Sequence, residues 1–258
     1  MKKTNFKNIR HIPHFYIIRS VESRLLSDYI DKNEGPFLDL GCGDGNFGRT
    51  LGLSEVYGID IDEQALKANI NNGYKEVLLA DASKTSYPDS FFATVFSNCA
   101  VEHMDGLNDV LKEVGRVLKD KGKFIFTVPS NKFLQVLKDD EILKSVGLNR
   151  DGSIDKYNEF HHHVNILDLK EWKEKLEATG FKLLEYEYYL PGDIGGFVVR
   201  MDMLYTLEAP ASKELLRKLG KKYKSISGLP FRLKCKRYIA SPHSGEPGTH
   251  LIIKAKKV

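Results

Sequence analysis

The run Phe37-Leu38-Asp39-Leu40-Gly41-Cys42-Gly43-Asp44-Gly45-Asn46 constrains this chain more than any other stretch, because a short apolar strand delivers the backbone into three alternating glycines. Glycine takes positive φ freely and has no Cβ, so the run demands a tight strand-to-helix turn on which a ligand can lie directly against the backbone. In the dinucleotide-binding fingerprint the glycines fall as G-x-G-x-x-G, with a pyrophosphate on the following helix N-terminus. Here the order is D-x-G-x-G-x-G, and Asn46 stands at the third dinucleotide position. Asp39 would repel a pyrophosphate but suits a ligand that carries an ammonium and a sulfonium.

Strands and helices alternate on either side of this turn. Residues 15–32 place Phe15, Ile18, Val21, Leu25, Leu26 and Tyr29 at helical spacing, ahead of the first strand. A short helix is expected over 45–52, a strand over 54–59, and a helix from an Asp62 N-cap through Asn71, stopped by Asn72-Gly73. Strands follow over 76–80 and 92–97, with Tyr87-Pro88-Asp89-Ser90 as a turn between them. The stripe Leu107, Val110, Leu111, Val114, Val117 predicts a helix over 105–118, stopped by Lys119-Asp120-Lys121-Gly122 before a strand over 123–128. A helix over 167–179, strands over 181–190 and 249–256, and a helical stretch near 197–222 complete the reading. The alternation implies right-handed βαβ units. The expected fold is therefore α/β, a Rossmann-like doubly wound sheet of seven mostly parallel strands with an antiparallel last strand. Residues 1–190 and 249–258 are expected to form the core with its N-terminal helix. Residues 191–248 are too long for a bare loop and are expected to be an inserted substrate cap.

Three further strand ends carry companions to the glycine turn. Asp60 closes the second strand, where a carboxylate can accept two ribose hydroxyls. Asp81-Ala82 follows the third strand, and Ser97-Asn98-Cys99-Ala100-Val101-Glu102-His103 follows the fourth. In this order the segments resemble the motifs of the class I S-adenosylmethionine-dependent methyltransferases, in their broad, largely small-molecule branch. The resemblance covers roughly residues 36–130 and extends to the helix and strand near 167–190. It implies S-adenosylmethionine as methyl donor and S-adenosylhomocysteine as product. It also implies that Gly41, Cys42 and Gly43 pack on the methionine part, with Asp39 near its ammonium. Asp60 would hold the ribose with Ile61 against the adenine face, Asp81 and Ala82 would meet the adenine edge, and the Asn98 carbonyl would accept from the ammonium.

Methyl transfer is an in-line displacement, so the protein chiefly aligns a nucleophile and excludes water. A general base is needed only for a hydroxyl or a protonated amine. His103 is the nearest candidate by sequence; its alternative is a structural histidine that hydrogen-bonds a neighbouring loop or caps the helix expected from Asp105. The run His161-His162-His163 is read as an extended loop, on which alternate side chains point to opposite faces. His161 or His163 could be the base. No Cys or carboxylate stands at ligand spacing from them, so no metal is expected.

Charge is distributed unevenly. Residues 213–258 carry +11 and the remainder −7, a split that marks either a solvated basic face or a footprint for a phosphate-bearing partner or anionic surface. The expected substrate is a small molecule or glycan precursor methylated on oxygen or nitrogen. The alternatives are RNA or an anionic lipid held by the basic region, or a nicotinamide-dependent oxidoreductase; no recognisable RNA-binding module is present, so nucleic acid is not expected. Three widely spaced cysteines and the absence of a long apolar run make the cytoplasm the default compartment.

Overall fold

The computed structural model describes residues 13–68, 73–145, 147–148, 151–206, 210–243 and 247–258. After the helix α1 (Pro13–Tyr29) come β1 (Phe37–Leu40), α2 (Asn46–Leu51), β2 (Val56–Asp60), α3 (Glu63–Ala68), β3 (Glu76–Leu79), β4 (Phe92–Asn98), α4 (Leu107–Val117) and β5 (Leu118–Pro129). Three helices follow, α5 (Asn131–Asp139), α6 (Glu141–Ser145) and α7 (Asp151–His161), then α8 (Leu169–Ala178) and β6 (Phe181–Pro191). The chain closes with α9 (Gly192–Thr206), α10 (Pro210–Lys224), α11 (Leu229–Ala240) and β7 (Gly248–Lys257). The strands form one sheet in the order β3-β2-β1-β4-β5-β7-β6, parallel except at β7. The strand order reverses between β1 and β4, so both strands send their carboxyl ends to the topological switch point, where ligands of such sheets bind.

Contacts divide the chain into two compact units. One holds the chain up to Arg24, Pro129–His163 and Tyr188–His250; the other holds Leu25–Val128, Val164–Glu187 and Leu251–Val258. Residues 191–248 fall wholly in the first, which also contains α5, α6 and α7. Its apolar core gathers Phe133, Leu137, Leu143, Tyr157, Val199 and Met203. In the second unit β4, β5, α4 and α8 share a core. Phe126 packs against Trp172 at 4.9 Å between ring centres, and both are fully buried.

Several expectations need correction. The Lys119–Gly122 segment does not leave the sheet: Phe92 pairs with Leu118 and Thr94 with Lys123, so the four residues form a bulge within β5, with Lys121 at φ +62°. The helix expected near 197–222 is two helices, and the first begins at Gly192, inside what reads as a glycine-rich break. Residues 131–161, for which no element is expected from the sequence, hold three helices, and His161 is the last residue of α7 rather than part of an extended loop. Asp62 does cap α3, its Oδ1 accepting from the Gln64 and Ala65 amides at 2.8 and 3.2 Å; residues 69–72, where that helix was expected to end, lie outside the described residues.

The start of α8 is set by a reciprocal capping box. Asp168 Oδ1 accepts from the Glu171 amide at 2.9 Å, and Glu171 Oε2 accepts from the Asp168 amide at 2.7 Å. Asp168→Ala removes both the side-chain acceptor and the geometry that engages Glu171. We expect urea denaturation to show about 1 kcal/mol less stability, and an unchanged midpoint would contradict this reading.

Candidate active site

The glycine turn is built by backbone that only its neighbours can satisfy. Gly41 and Cys42 both donate their amides to the Ile59 carbonyl at 2.9 Å, which ties the turn after β1 to the end of β2. Gly41 stands at φ +77°, and a Cβ there would come within 2.5 Å of the Ala100 methyl. The turn after β4 therefore packs straight onto the turn after β1. Gly43, at φ +50°, has nothing within 4 Å of where its Cβ would be, so its backbone is open to a ligand.

Asp60 joins these turns. Its Oδ2 accepts from the Gly43 amide at 2.7 Å and its Oδ1 from the Asp62 amide at 2.9 Å. Each carboxylate oxygen keeps lone-pair capacity after those bonds, enough to accept from a vicinal pair of hydroxyls. The next side chain, Ile61, is 75% exposed at the end of β2, an aliphatic surface beside a diol acceptor. Together an open glycine backbone, a positioned carboxylate and a bare isoleucine fit an adenosine-bearing ligand. Asp81 follows β3 and is exposed; its Oδ1 accepts from both the amide and hydroxyl of Ser83 at 2.7 Å, bonds that hold its carboxyl below the usual range. Ala82 beside it is half-buried.

Asp39 is buried beneath the turn. Tyr74 donates its hydroxyl to Asp39 Oδ2 at 2.6 Å, and Gly48 of α2 leaves the space that both occupy. Burial pushes the Asp39 carboxyl up to about 7, against the opposing effect of the Tyr74 hydrogen bond and with help from the nearby Asp60 charge. A folded-state pKa above the unfolded value means that the native state holds its proton more tightly. Stability is then fully present below pH about 4 and is lost as the pH rises towards about 7. Asp39→Asn keeps an acceptor for Tyr74 without the charge. We expect it to raise stability by about 1–2 kcal/mol at pH 8 and to change it little at pH 4, measured by denaturant titration at both pH values. Equal effects at the two pH values would contradict a buried, titrating Asp39.

The segment after β4 is clamped from two sides. Cys99, at φ +46°, donates its amide to the Thr127 carbonyl at 3.0 Å, and the Thr127 hydroxyl donates to Asn98 Oδ1 at 3.0 Å. Val101–His103 then makes one 3₁₀ turn. The Asn165 side-chain amide donates to the Val101 and Met104 carbonyls at 3.0 and 2.7 Å, while the Val164 and Asn165 backbone amides both reach the Glu102 carbonyl. Glu102 is buried, with Oε1 3.8 Å from Nε2 of the partly exposed His103. α4 starts at Leu107 behind a left-handed Gly106, whose carbonyl accepts from the Asp109 amide at 2.8 Å.

His161 and His163 lie in the other unit. Their rings stack 5.2 Å apart at 16°, His161 Nε2 is 2.8 Å from the Thr206 hydroxyl, and His163 Nδ1 is 3.4 Å from Asn158 Oδ1. Between them His162 turns the chain at φ +50°. Burial lowers the His161 pKa, partly offset by Asp202. Among the described residues no group of three or more His, Cys, Asp or Glu is placed to hold a metal ion.

Tyr74, Thr127 and Asn165 are the site-shaping residues that sequence reasoning missed. Gly48 was the available signal for Tyr74, since a glycine inside a short helix argues for something packed close to it. Thr127 and Asn165 give no comparable signal, because their partners lie 28 or more residues away.

Residues 38–126 match the family described as "Methyltransferase domain". An uncharacterized protein of Methanocaldococcus jannaschii is 29% identical over 177 residues, 65% of this chain and 69% of its own length. Squalene methyltransferase 1 of Botryococcus braunii is 36% identical over 113 residues, 40% of this chain and 30% of its own. Among solved structures, a possible histamine N-methyltransferase of Thermotoga maritima superposes with a TM-score of 0.60 at 15% identity, covering 98% of this chain and 95% of that one.

Proposed function

We propose that residues 38–126, which match the methyltransferase domain family, form the donor-binding part of a class I, S-adenosylmethionine-dependent enzyme, and that the chain methylates an oxygen or nitrogen of a small molecule or glycan precursor. Bound S-adenosylmethionine supplies a methyl group already activated by its sulfonium. The chain's own residues have three tasks. Gly41, Cys42 and Gly43 offer backbone to the methionine part, with Asp39 and the Asn98 carbonyl towards its ammonium. Asp60 accepts from the ribose, and Ile61 with Asp81 and Ala82 frames the adenine.

The observation that carries the acceptor reading is the Glu102–His103 turn. Ala100, three residues before His103, packs on Gly41, and Asn165 fixes the turn between them. An imidazole held there can take the proton from an acceptor hydroxyl or ammonium, and the buried Glu102 side chain stands 3.8 Å from it.

Two measurements test this. Calorimetric titration with S-adenosylhomocysteine should give single-site binding, and a folded sample that gives no heat would overturn the donor assignment. Methyl transfer from labelled donor should be detected to hydroxyl- or amine-bearing compounds in a panel that includes sugar nucleotides. Transfer confined to carbon acceptors would overturn the acceptor reading while leaving the donor intact.

A further inference from the structure

The hairpin formed by α10 and α11 has an inner face and an outer face of opposite character. Leu215, Leu216 and Leu219 pack inward against the first unit's core, while Arg217, Lys218, Lys221, Lys222 and Lys224 are exposed along the outside. Glu214, the acid of that outer face, is already paired with Arg217 at 2.6 Å and Lys218 at 3.7 Å. At the tip the character changes abruptly. Ile226 is 89% exposed, and Leu229 and Leu233, one helical turn apart on α11, are each 45% exposed. The same stripe continues to the exposed Lys236 with Arg237 beside it, while Lys234 is paired with Asp193 at 2.6 Å.

The tip is a built feature. Arg232 donates from one guanidinium nitrogen to the Tyr223 carbonyl and, at 3.1 Å, to the Ser225 carbonyl, which closes the turn between the helices. Phe197 of α9 stacks on Tyr223 at 5.4 Å and meets Phe231 at 5.1 Å, so the hairpin is anchored to the rest of its unit by three aromatic rings. Bare aliphatic side chains are therefore presented in water on a fixed support and ringed by cations.

We propose that this tip docks the protein on an anionic lipid bilayer, with Ile226, Leu229 and Leu233 entering the interfacial region and Lys221, Lys222, Lys224 and Lys236 meeting the headgroups. Apolar insertion and a basic cluster are each weak alone and together give stable peripheral attachment. The side chains also choose between polyanions. Single-stranded nucleic acid is held by stacking on displayed aromatic rings, whereas here the aromatic rings face one another inside the hairpin and the displayed residues are aliphatic. The attachment is independent of the acceptor chemistry, and none of its residues belongs to the donor site.

Co-sedimentation of the full chain with vesicles tests it. Binding is expected to phosphatidylserine-containing vesicles and not to phosphatidylcholine alone, and to weaken as salt is raised. Ile226→Asp and the double change Lys221→Glu with Lys222→Glu should each reduce vesicle affinity roughly tenfold or more. Both variants should bind S-adenosylhomocysteine as the parent does, which shows that the chain is folded. The proposal is overturned by no binding to anionic vesicles, by equal binding to neutral ones, or by binding that survives both variants. It is equally overturned if single-stranded RNA is retained and vesicles are not.

Discussion

Gly48→Ala is expected to destabilise the protein by about 3–5 kcal/mol, although alanine in place of glycine inside a helix ordinarily stabilises by up to about 1 kcal/mol. The sign reverses because of what the missing side chain makes room for. A Cβ at Gly48 would collide with the Tyr74 hydroxyl and come within 2.5 Å of Asp39 Oδ2. Neither can retreat cheaply: Asp39 lies in a strand buried along its whole length, and Tyr74 would have to give up its 2.6 Å hydrogen bond to a buried carboxyl. The cost adds overpacking to a broken hydrogen bond that leaves a buried acceptor unpaired. Thermal or urea denaturation of the variant measures it. An unchanged or raised midpoint would show that α2 moves away freely and that Asp39 and Tyr74 are not fixed as described.

Asp60→Ala is expected to weaken S-adenosylhomocysteine binding roughly a hundredfold, about 3 kcal/mol, with little change in the unfolding midpoint. Two losses combine. The carboxylate that can accept from the ribose hydroxyls disappears, and the Gly43 amide loses the 2.7 Å partner that sets the backbone on which the ligand lies. Asp60→Asn separates them, because one amide oxygen can still accept from Gly43 but no longer from Gly43 and Asp62 through two oxygens. Its affinity should lie between parent and Ala. If Asp60→Ala binds the ligand as tightly as the parent, the carboxylate is a turn brace only, and the ribose assignment fails.

The donor half was legible because its signals are local. A strand, a glycine turn and an acid at the next strand end are contiguous in sequence, and the helical stripes of α4 and α8 follow the 3.6-residue period closely. Where reading failed, distant packing had overruled a local cue. Gly192, Gly195 and Gly196 look like a break, yet they begin α9, whose Ile194, Val198, Val199 and Met201 are buried and outweigh the glycine penalty. Lys119–Gly122 looks like a helix stop and then a loop, yet β4 captures residues on both sides of it. In 131–161 the cues are short: α5 has a stripe, with Phe133 and Leu137 buried one turn apart, but runs only nine residues, and α6 has five. The clamp on Glu102 and His103 could not be read at all, because Asn165 announces its role only through partners some sixty residues earlier.

The position of β7 has a consequence for how the chain is assembled as it is made. In the strand order β5-β7-β6, the strand formed by residues 248–257 lies between two strands that precede it. A nascent chain can pair β1 with β2 and β4 with β5 as each emerges, but β6 has no neighbour until β7 arrives. Its backbone donors and acceptors wait through the synthesis of some sixty residues, including all of α9, α10 and α11. An unpaired strand held open that long invites misplaced pairing. The fully buried Leu251, Ile252 and Ile253 enter as a wedge that both ends the wait and joins the halves of the sheet.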